Sequence, residues 1–451
     1  MLLGQSRILS AIRKAARQSK ADDTLIAAQR TARKTLRFAD GRIHQNFHEE
    51  ETTVWVKVAV SGKTGVATTG AFNPASILKT IEAAMTIASA SAKGVPASFR
   101  SKPVRSPSLP IPTHDPETAD LSLTRAVEMI RTLSSRTSKQ GMDLAGSFVF
   151  GEDELAVAGK GGLAQYQPFS IAGLRLVPTR QKSSGFAAQT VRRICDLDQE
   201  ALIERAWRLC RLNRDPKAVP TGAYDVLLEA EAVAELLEWL GFIGFGAKQL
   251  TERTGFTAGR IGEKIMHPSV SISDDGLDPQ GLMAPFDYEG IPKRRVALVE
   301  HGVIKGVVYD SHYAKIHRTD STGHALPYEE IEGPLPTNLF MDGGTTPHSA
   351  LLKQLGRGLW VSRFHYVSGL LKPQEAVMTG LTRDGTFLIR EGQVTQAVKN
   401  LRFTQSILEA FSKIAAISRE RRLIADPGLG FGSVVAPAVL IKGFNFTGQT
   451  R

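Results

Sequence analysis

The sequence predicts an α+β fold, in which N-terminal α/β domains are followed by a β-rich C-terminal domain with few helices. The chain has 451 residues, enough for about three domains at roughly 150 residues each. Apolar residues make up 42 % and charged residues 22 % of it, as is usual for packed globular proteins. Helical spacing of apolar residues is prominent before residue 220, whereas short strands and tight turns dominate after it.

Two breaks in the chain divide it into domains at 1–105, 106–219 and 220–451. Residues 100–112 contain four prolines, a composition typical of an extended linker. A second break, at 215–222, holds two prolines and a glycine between a predicted helix and a predicted strand.

The first domain begins with an unusually basic segment. Residues 1–37 hold nine Lys or Arg against two Asp. We interpret this segment as the solvated face of a helix that opens the domain, and a presequence, a membrane-surface helix or a nucleic-acid arm are the alternatives. A hairpin of Thr52–Val60 with Val66–Thr69 follows, and Asn73 with Pro74 begins a helix.

Further elements are predicted from periodicity and from turn residues. Asp115 and Pro116 begin a helix of about 20 residues, because an N-cap followed by proline is a helix start signal. The other predicted elements are strands at Gly146–Phe150, Leu174–Val177, Tyr224–Leu228 and Val434–Ile441, helices at Asp198–Asn213, Ala230–Leu240 and Asn400–Ile417, and hairpins of Arg295–Glu300 with Val303–Tyr309 and of Thr386–Ile389 with Gln393–Val398.

Cysteine count and hydropathy bear on the compartment. Cys195 and Cys210 are the two cysteines of the chain, which excludes a disulfide scaffold and favours the reducing cytoplasm. The longest apolar stretches span about eight residues, whereas a bilayer-spanning helix needs roughly 20. We therefore expect a cytoplasmic protein without a membrane span.

The sequence lacks the common catalytic motifs. It contains no His-Glu-x-x-His helix, no Gly-x-Ser-x-Gly elbow and no P-loop. His44 and His48 share a spacing compatible with metal ligation, on a predicted strand where residues four apart lie on one face. We interpret them as an exposed polar face, with a metal pair as the alternative.

Polar residues interleaved with glycine or aromatic residues mark a candidate substrate cleft in the last domain. Loops of this kind can offer hydrogen bonds to a ligand. The candidate cleft residues are Ser321, Thr322, Gly323, His324, Asn338, Arg363 and His365.

Six segments in order resemble one known family. They are Thr64–Thr69, Ala284–Gly290, Ser321–His324, Pro336–Phe340, Leu355–Trp360 and Phe387–Gly392. Together they resemble the TldD/PmbA family, also called modulator of DNA gyrase, over nearly the whole chain. The resemblance implies a cytoplasmic zinc-dependent peptidase system of two homologous subunits, TldD-like and TldE/PmbA-like, that cuts unfolded peptides.

The resemblance also assigns this chain to one of the two subunit types. In TldD-like members a His-Glu-x-x-x-His helix and a cysteine near the C-terminus hold the zinc. Here Glu238 and Ile243 stand at the two histidine positions, Trp239 at the glutamate and Phe431 at the cysteine. Isoleucine and phenylalanine cannot ligate a metal and tryptophan cannot act as a base. The chain thus resembles the TldE/PmbA-like subunit, with no catalytic residue and no cofactor of its own and with zinc in a TldD-like partner.

Two alternative functions follow from other features. A self-sufficient metallohydrolase would take its ligands from His44 and His48 or from the loop between His312 and His324. A gyrase-associated or nucleic-acid-binding protein is suggested by the isoelectric point of about 9.6. Nucleic acid is the less favoured partner, since no aromatic residue interleaves the N-terminal charges to stack on bases.

Overall fold

A computed structural model describes residues 2–91, 99, 101–428 and 432–449. Its helices are α1 Gln5–Gln18, α2 Pro74–Ala90, α3 Pro116–Ala119, α4 Leu123–Lys139, α5 Gln199–Leu212, α6 Ala230–Gly244, α7 Ala247–Thr251, α8 Ser311–Ile316, α9 Leu351–Leu355 and α10 Ile407–Ser412. Its strands are β1 Asp23–Ala39, β2 Arg42–Val60, β3 Lys63–Thr69, β4 Asp143–Gly159, β5 Ala164–Arg180, β6 Ser183–Ser184, β7 Ala187–Val191, β8 Gly222–Leu228, β9 Ile272–Asp274, β10 Val296–Glu300, β11 Val303–Ile304, β12 Asn338–Met341, β13 Gly358–Lys372, β14 Val377–Arg390, β15 Gln393–Ala397, β16 Leu401–Ser406, β17 Ile414–Ile424 and β18 Ser433–Gln449.

The first sheet is antiparallel and has the order β3-β2-β1-β4-β5-β6, with β7 also paired to β5. Strand residues alternate between its faces. Even-numbered β1 residues such as Ile26 and Leu36 pack in the two apolar clusters that also contain residues of α1, α2, α4 and α5. Odd-numbered residues such as Leu25 lie on the other face, in a cluster with Phe286 from the second half of the chain. One face therefore carries the helices and the other faces the second sheet.

Within the described residues the second sheet contains 11 strands, and part of it closes on itself. β18 pairs with β16 and with β8, and the series β16, β14, β13 and β8 completes a ring. α6 packs on β13 and β18, and its apolar residues belong to the largest core cluster. The predicted α+β class with a β-rich C-terminal region is confirmed.

The basic N-terminal segment forms α1 followed by β1. Ile8 and Ile12 of α1 are buried, while Arg13, Lys14 and Arg17 are exposed. This is the amphipathic arrangement expected of a helix that opens a domain and turns its charges to solvent.

Two predicted helices are corrected. The predicted helix Asn400–Ile417 is wrong, because this stretch forms β16, α10 and the beginning of β17. Leu401 and Phe403 alternate with polar residues and pair with β14 and β18, and this sheet pairing outweighs local helical propensity. The helix predicted from Asp115 ends at Ala119, and α4 begins anew after its own N-cap, Ser122.

The three-domain division stays a prediction. β1 pairs with β4 across the boundary at 105, so segments on both sides of that boundary share one sheet. The boundary at 219 falls between the last strand of the first sheet and β8 of the second.

Candidate functional site

A cleft of about 590 Å³ lies between the two sheets, and we call it the candidate cleft. β5 and β7 line one side of it, and α6, β13 and the end of β17 line the other. A cavity of about 1090 Å³, the adjoining cavity, continues from it and shares wall residues such as Thr190 and Leu423.

Three carboxylates of α6 face the candidate cleft. Glu231, Glu235 and Glu238 stand four and then three residues apart, a spacing that places them along one face of a helix. Glu231 accepts hydrogen bonds from Arg205 at 2.6 and 2.9 Å and from Arg422 at 2.7 Å. Partial desolvation by the cleft walls, together with the like charges of Glu235 and Asp426, raises the pKa of Glu238 to about 7, although its side chain still reaches solvent.

The other two predicted metal-site positions on α6 serve packing. Ile243 is 3 % exposed in the core, and Trp239 lies edge-on to Phe242 at 5.7 Å between ring centroids. On a regular helix, residues five apart are rotated by about 140°. Glu238 faces the cleft whereas Ile243 faces the core, so these two positions do not converge on one point.

Among the described positions of the predicted metal site, Glu238 is the single side chain with a possible ligand atom, because tryptophan and isoleucine side chains do not bind zinc. Within the described parts of the chain no group of three or more His, Cys, Asp or Glu side chains is arranged to hold a metal ion. Phe431, the fourth predicted position, lies outside the described residues. His44 and His48 are exposed on β2.

Arg363 and His365 of β13 line the candidate cleft, and their role in binding a substrate stays a prediction. Arg363 Nε donates to Asp384 Oδ2 at 2.9 Å, and its guanidinium lies 4.2 Å from the ring centroid of Phe186. Ser184, which precedes β7, donates to the other oxygen of Asp384 at 2.7 Å. Desolvation and the neighbouring arginines lower the pKa of His365, so this imidazole is neutral near pH 7.

Thr322 and His324 belong to a buried hydrogen-bond chain. Thr322 Oγ1 lies 2.9 Å from His324 Nδ1, and His324 Nε2 lies 2.7 Å from Asp274 Oδ1. The residue types are those of a catalytic triad. The exposures of Thr322, His324 and Asp274 are 4 %, 2 % and 0 %, however, so a substrate cannot reach them in this conformation.

The same network supports the floor of the cleft. Asn338 donates its backbone N–H to Asp274 Oδ2 at 2.7 Å, and its side-chain oxygen accepts from Lys293 Nζ at 3.0 Å. Lys293 also donates to Thr337, which does line the candidate cleft. Burial would raise the pKa of Asp274, but His324 and Lys293 outweigh it and lower that pKa to about 2.

None of the remaining predicted cleft residues is among those that line the candidate cleft. Ser321 Oγ donates to the carbonyl of Tyr309 at 3.1 Å, and Gly323 has a positive φ of 77° beside Lys293. A cleft role for Ser321, Thr322, Gly323, His324 and Asn338 stays a prediction, and the structure gives them contacts beneath or away from the cleft.

One wall of the site is not foreseen in the sequence. Residues 425–428, which we call the strap, leave β17 and lie on the face of the first sheet between the candidate cleft and a smaller pocket of about 260 Å³. Thr190 Oγ1 donates to the Ala425 carbonyl at 2.8 Å, and Arg175 pairs with Asp426 at 3.1 Å.

A buried ion pair holds the strap at Pro427. Arg33 Nη1 donates to the Pro427 carbonyl, and its other nitrogens bind Asp153 at 2.7 to 3.1 Å. The Pro427 ring occupies the space of a missing side chain, since a Cβ on Gly173 would lie 2.4 Å from it. The Asp-Pro-Gly sequence indicates a turn, but it does not reveal which strands receive it.

Comparison with known proteins identifies the class. A family model described as the PmbA/TldA metallopeptidase C-terminal domain matches residues 221–448, and another described as PmbA/TldA metallopeptidase domain 1 matches residues 26–88. These are metallopeptidase domains, and the first of them spans half of the chain. The chain therefore belongs to the PmbA/TldA metallopeptidase family, and the resemblance to TldD/PmbA proteins is confirmed.

Individual relatives agree with this membership. A metalloprotease TldD homolog of Haemophilus influenzae is 27 % identical over 52 % of this chain and 49 % of its own length. A metalloprotease of Methanothermobacter thermautotrophicus is 24 % identical over 51 % of this chain and 48 % of its own length. The chain thus spans about half the length of these relatives.

A solved structure has the same fold over nearly the full chain. TldE from Thermococcus kodakarensis superposes with a TM-score of 0.85 at 20 % identity, covering 97 % of this chain and 100 % of that one. Among the described residues, no helix combines the length and the apolar character needed to cross a membrane.

Proposed function

We propose that this chain is the TldE/PmbA-like subunit of a heteromeric zinc metallopeptidase that acts on unfolded peptides. In this proposal it contributes a wall of the substrate chamber and its TldD-like partner contributes the zinc. The observation that carries the proposal is the chemistry of α6, where Glu238, Trp239 and Ile243 stand at the positions that the resemblance predicts for the metal site.

The packing around α6 supports this assignment. Trp239 and Ile243 both contact the glycine of β13 at position 369, where an added Cβ would lie 2.8 Å from Trp239 and 3.3 Å from Ile243. A polar ligand side chain at either position would be buried against β13 without a hydrogen-bond partner. Burying such an unpaired polar group costs on the order of several kcal/mol.

The division of labour follows from metal chemistry. A zinc ion bound by the partner would polarise the scissile carbonyl and activate a water molecule. This chain would bind and orient the peptide in the candidate cleft, where Arg363 and His365 present polar atoms beside apolar Phe242 and Phe364. Cytoplasmic location is part of the same proposal.

The test compares the chain alone with the chain co-purified with a relative that keeps His-Glu-x-x-x-His. We expect less than 0.1 zinc per isolated chain by mass spectrometry of the metal, no hydrolysis of an unfolded casein peptide, and hydrolysis by the pair. A matched pair of variants, Glu238→Gln and the distant Glu128→Gln, should leave the zinc content of the isolated chain equally low. About one zinc per isolated chain, lost on Glu238→Gln, would contradict the proposal.

A further inference from the structure

The adjoining cavity has an aromatic floor held by a buried carboxylate. Trp360 is 6 % exposed, and its Nε1 donates to Glu229 Oε1 at 2.8 Å. The other oxygen of Glu229 lies 3.0 Å from Nε2 of His348, a half-exposed residue at the edge of the cavity. Glu229 thereby fixes both the indole and the imidazole.

Arg208 lies over this floor without a carboxylate of its own. Its guanidinium carbon is 5.9 Å from the Trp360 ring centroid, a cation–π arrangement. No described carboxylate forms an ion pair with it. Arg208 is exposed to solvent, and a guanidinium placed over a ring can direct its in-plane N–H donors to a planar anion.

Four arginines line the cavity, namely Arg205, Arg208, Arg211 and Arg422. Arg205 and Arg422 share the carboxylate of Glu231. The carboxylate of Glu229 is engaged by Trp360 and His348, so neither inner carboxylate pairs with Arg208. The carboxylates of the rim are Asp198, which caps α5, Glu420, which accepts the His348 N–H at 2.8 Å, and the exposed Glu204.

We propose that this cavity binds a carboxylate of the peptide substrate, with Arg208 as the anchoring residue above Trp360. The proposal rests on the proposed function, because the ligand is a peptide that continues into the candidate cleft. Leu202 and Leu423 supply apolar wall next to the anchor, as a peptide side chain requires.

The length of α6 between the adjoining cavity and the candidate cleft fits a short peptide. Glu229 and Glu238 are nine residues apart along α6, or about 13.5 Å at 1.5 Å per residue. An extended chain covers this distance in about four residues. An extended peptide that runs along α6 from Glu229 would therefore reach Glu238 within about five residues.

The test measures binding of labelled pentapeptides to the full isolated chain by fluorescence anisotropy. Three probes carry the same N-terminal fluorophore: one with a free C-terminal acid, its C-terminal amide, and an amide with Glu as last residue. We expect the free acid to bind about tenfold more tightly than the amide, the effect of one charge-assisted hydrogen-bonded pair. Tight binding of the Glu amide would show that the site accepts any carboxylate. Weak binding of the Glu amide would show that the site recognises the carboxylate at the chain terminus.

Variants identify the anchor. Arg208→Gln should weaken binding of the free-acid probe about tenfold and leave binding of the amide probe unchanged, so that the two probes bind with similar affinity. Arg214→Gln, a matched change at an arginine with 82 % exposed side chain near the end of α5, should change neither. Equal binding of acid and amide to the unmodified chain, or equal effects of the two variants, would overturn the proposal.

The two proposals are tested by separate measurements. Zinc content and hydrolysis by the pair test the subunit assignment, whereas the acid-to-amide ratio is measured on the isolated chain without metal. Thermal unfolding of both arginine variants checks that each folds like the unmodified chain.

Discussion

Gly369 lies where β13 crosses the second half of α6. A Cβ at this position would lie 2.8 Å from Trp239 Cε3 and 3.3 Å from Ile243 Cγ2. The close approach of strand and helix therefore depends on the absence of a side chain. Trp239 and Ile243, two of the predicted metal-site positions, pack against this glycine.

Gly369→Ala should lower the free energy of unfolding by about 1–3 kcal/mol, the usual cost of overpacking. Urea denaturation measures it, and Gly70→Ala is the control, since a Cβ there would have one ordinary contact at 3.8 Å. The double variant with Gly369→Ala and Trp239→Ala should lose less free energy of unfolding than the sum of the losses of the two single variants. Strict additivity would refute the contact.

His348 and Glu229 form a pH-dependent pair. The hydrogen bond to Glu229 raises the pKa of His348 above its ordinary 6.5, against the opposing effect of burial. Burial opposes the ionised form of Glu229 too, but His348 and Arg205 outweigh it, and its pKa falls below 4.5. The raised histidine pKa stabilises the fold below about pH 6.5 and the lowered glutamate pKa does so above about pH 4.5.

His348→Gln should therefore reduce the free energy of unfolding more at pH 6 than at pH 8.5. The difference should be about 0.5–1 kcal/mol, since half of the imidazole is in water. Denaturation at both pH values measures it. His267→Gln, at an exposed histidine that contacts Ser269, should give no such difference.

At the scale of the element, α6 carries a row of acids on an otherwise apolar helix. Glu238 has a raised pKa of about 7, so the folded state binds its proton more tightly than the unfolded chain does. Stability is therefore lost as pH rises from about 4.5 to 7.

Glu238→Gln should stabilise the protein at pH 8 and have little effect at pH 4.5. The gain should be about 1 kcal/mol or less, because the residue is exposed and water screens its charge. Chemical denaturation at the two pH values is the measurement, with Glu128→Gln on the exposed face of α4 as control. A gain of equal size at both pH values would contradict the raised pKa.

Elements with local signals are the ones that could be predicted from the sequence. α2 follows its N-cap Asn73, and the hairpins β10–β11 and β14–β15 follow their turn residues, although β11 covers only Val303–Ile304 of the predicted Val303–Tyr309. β16 and α10 could not be predicted, because the sheet that captures Leu401 and Phe403 is assembled from distant segments.

The residues of the candidate site also differ in how far the sequence indicates their positions. Arg363 and His365, which belong to a stretch of interleaved polar and aromatic residues, line the cleft, and their substrate role stays a prediction. His324 has a similar sequence environment but is buried by its bond to Asp274, 50 residues away. The sequence gives no local sign of such a partner.

At the scale of the whole molecule, buried polar contacts join the two sheets. Lys57 of β2 donates to Glu289 at 2.7 Å, and Arg33 of β1 joins Asp153 to the strap. Asp153 is fully buried, so its charge depends on Arg33 for compensation.

Arg33→Met should lower the free energy of unfolding by about 3–5 kcal/mol, since it leaves a buried carboxylate unpaired. Arg33→Met with Asp153→Leu should recover much of that stability but leave the strap without its anchor. Limited proteolysis should then cut near Pro427 in both the single and the double variant. Denaturation should distinguish the two variants by their free energies of unfolding. A double variant that resists cleavage like the unmodified chain would refute the anchoring role.

β18 comes last among the strands yet pairs with β8, β12, β16 and β17. During synthesis, the ring of the second sheet must wait until residues 433–449 have left the ribosome. Until then β8 and β16 have unpaired edges that invite aggregation. The first sheet has no such delay, so a nascent chain would hold one finished sheet while the second sheet still awaits β18.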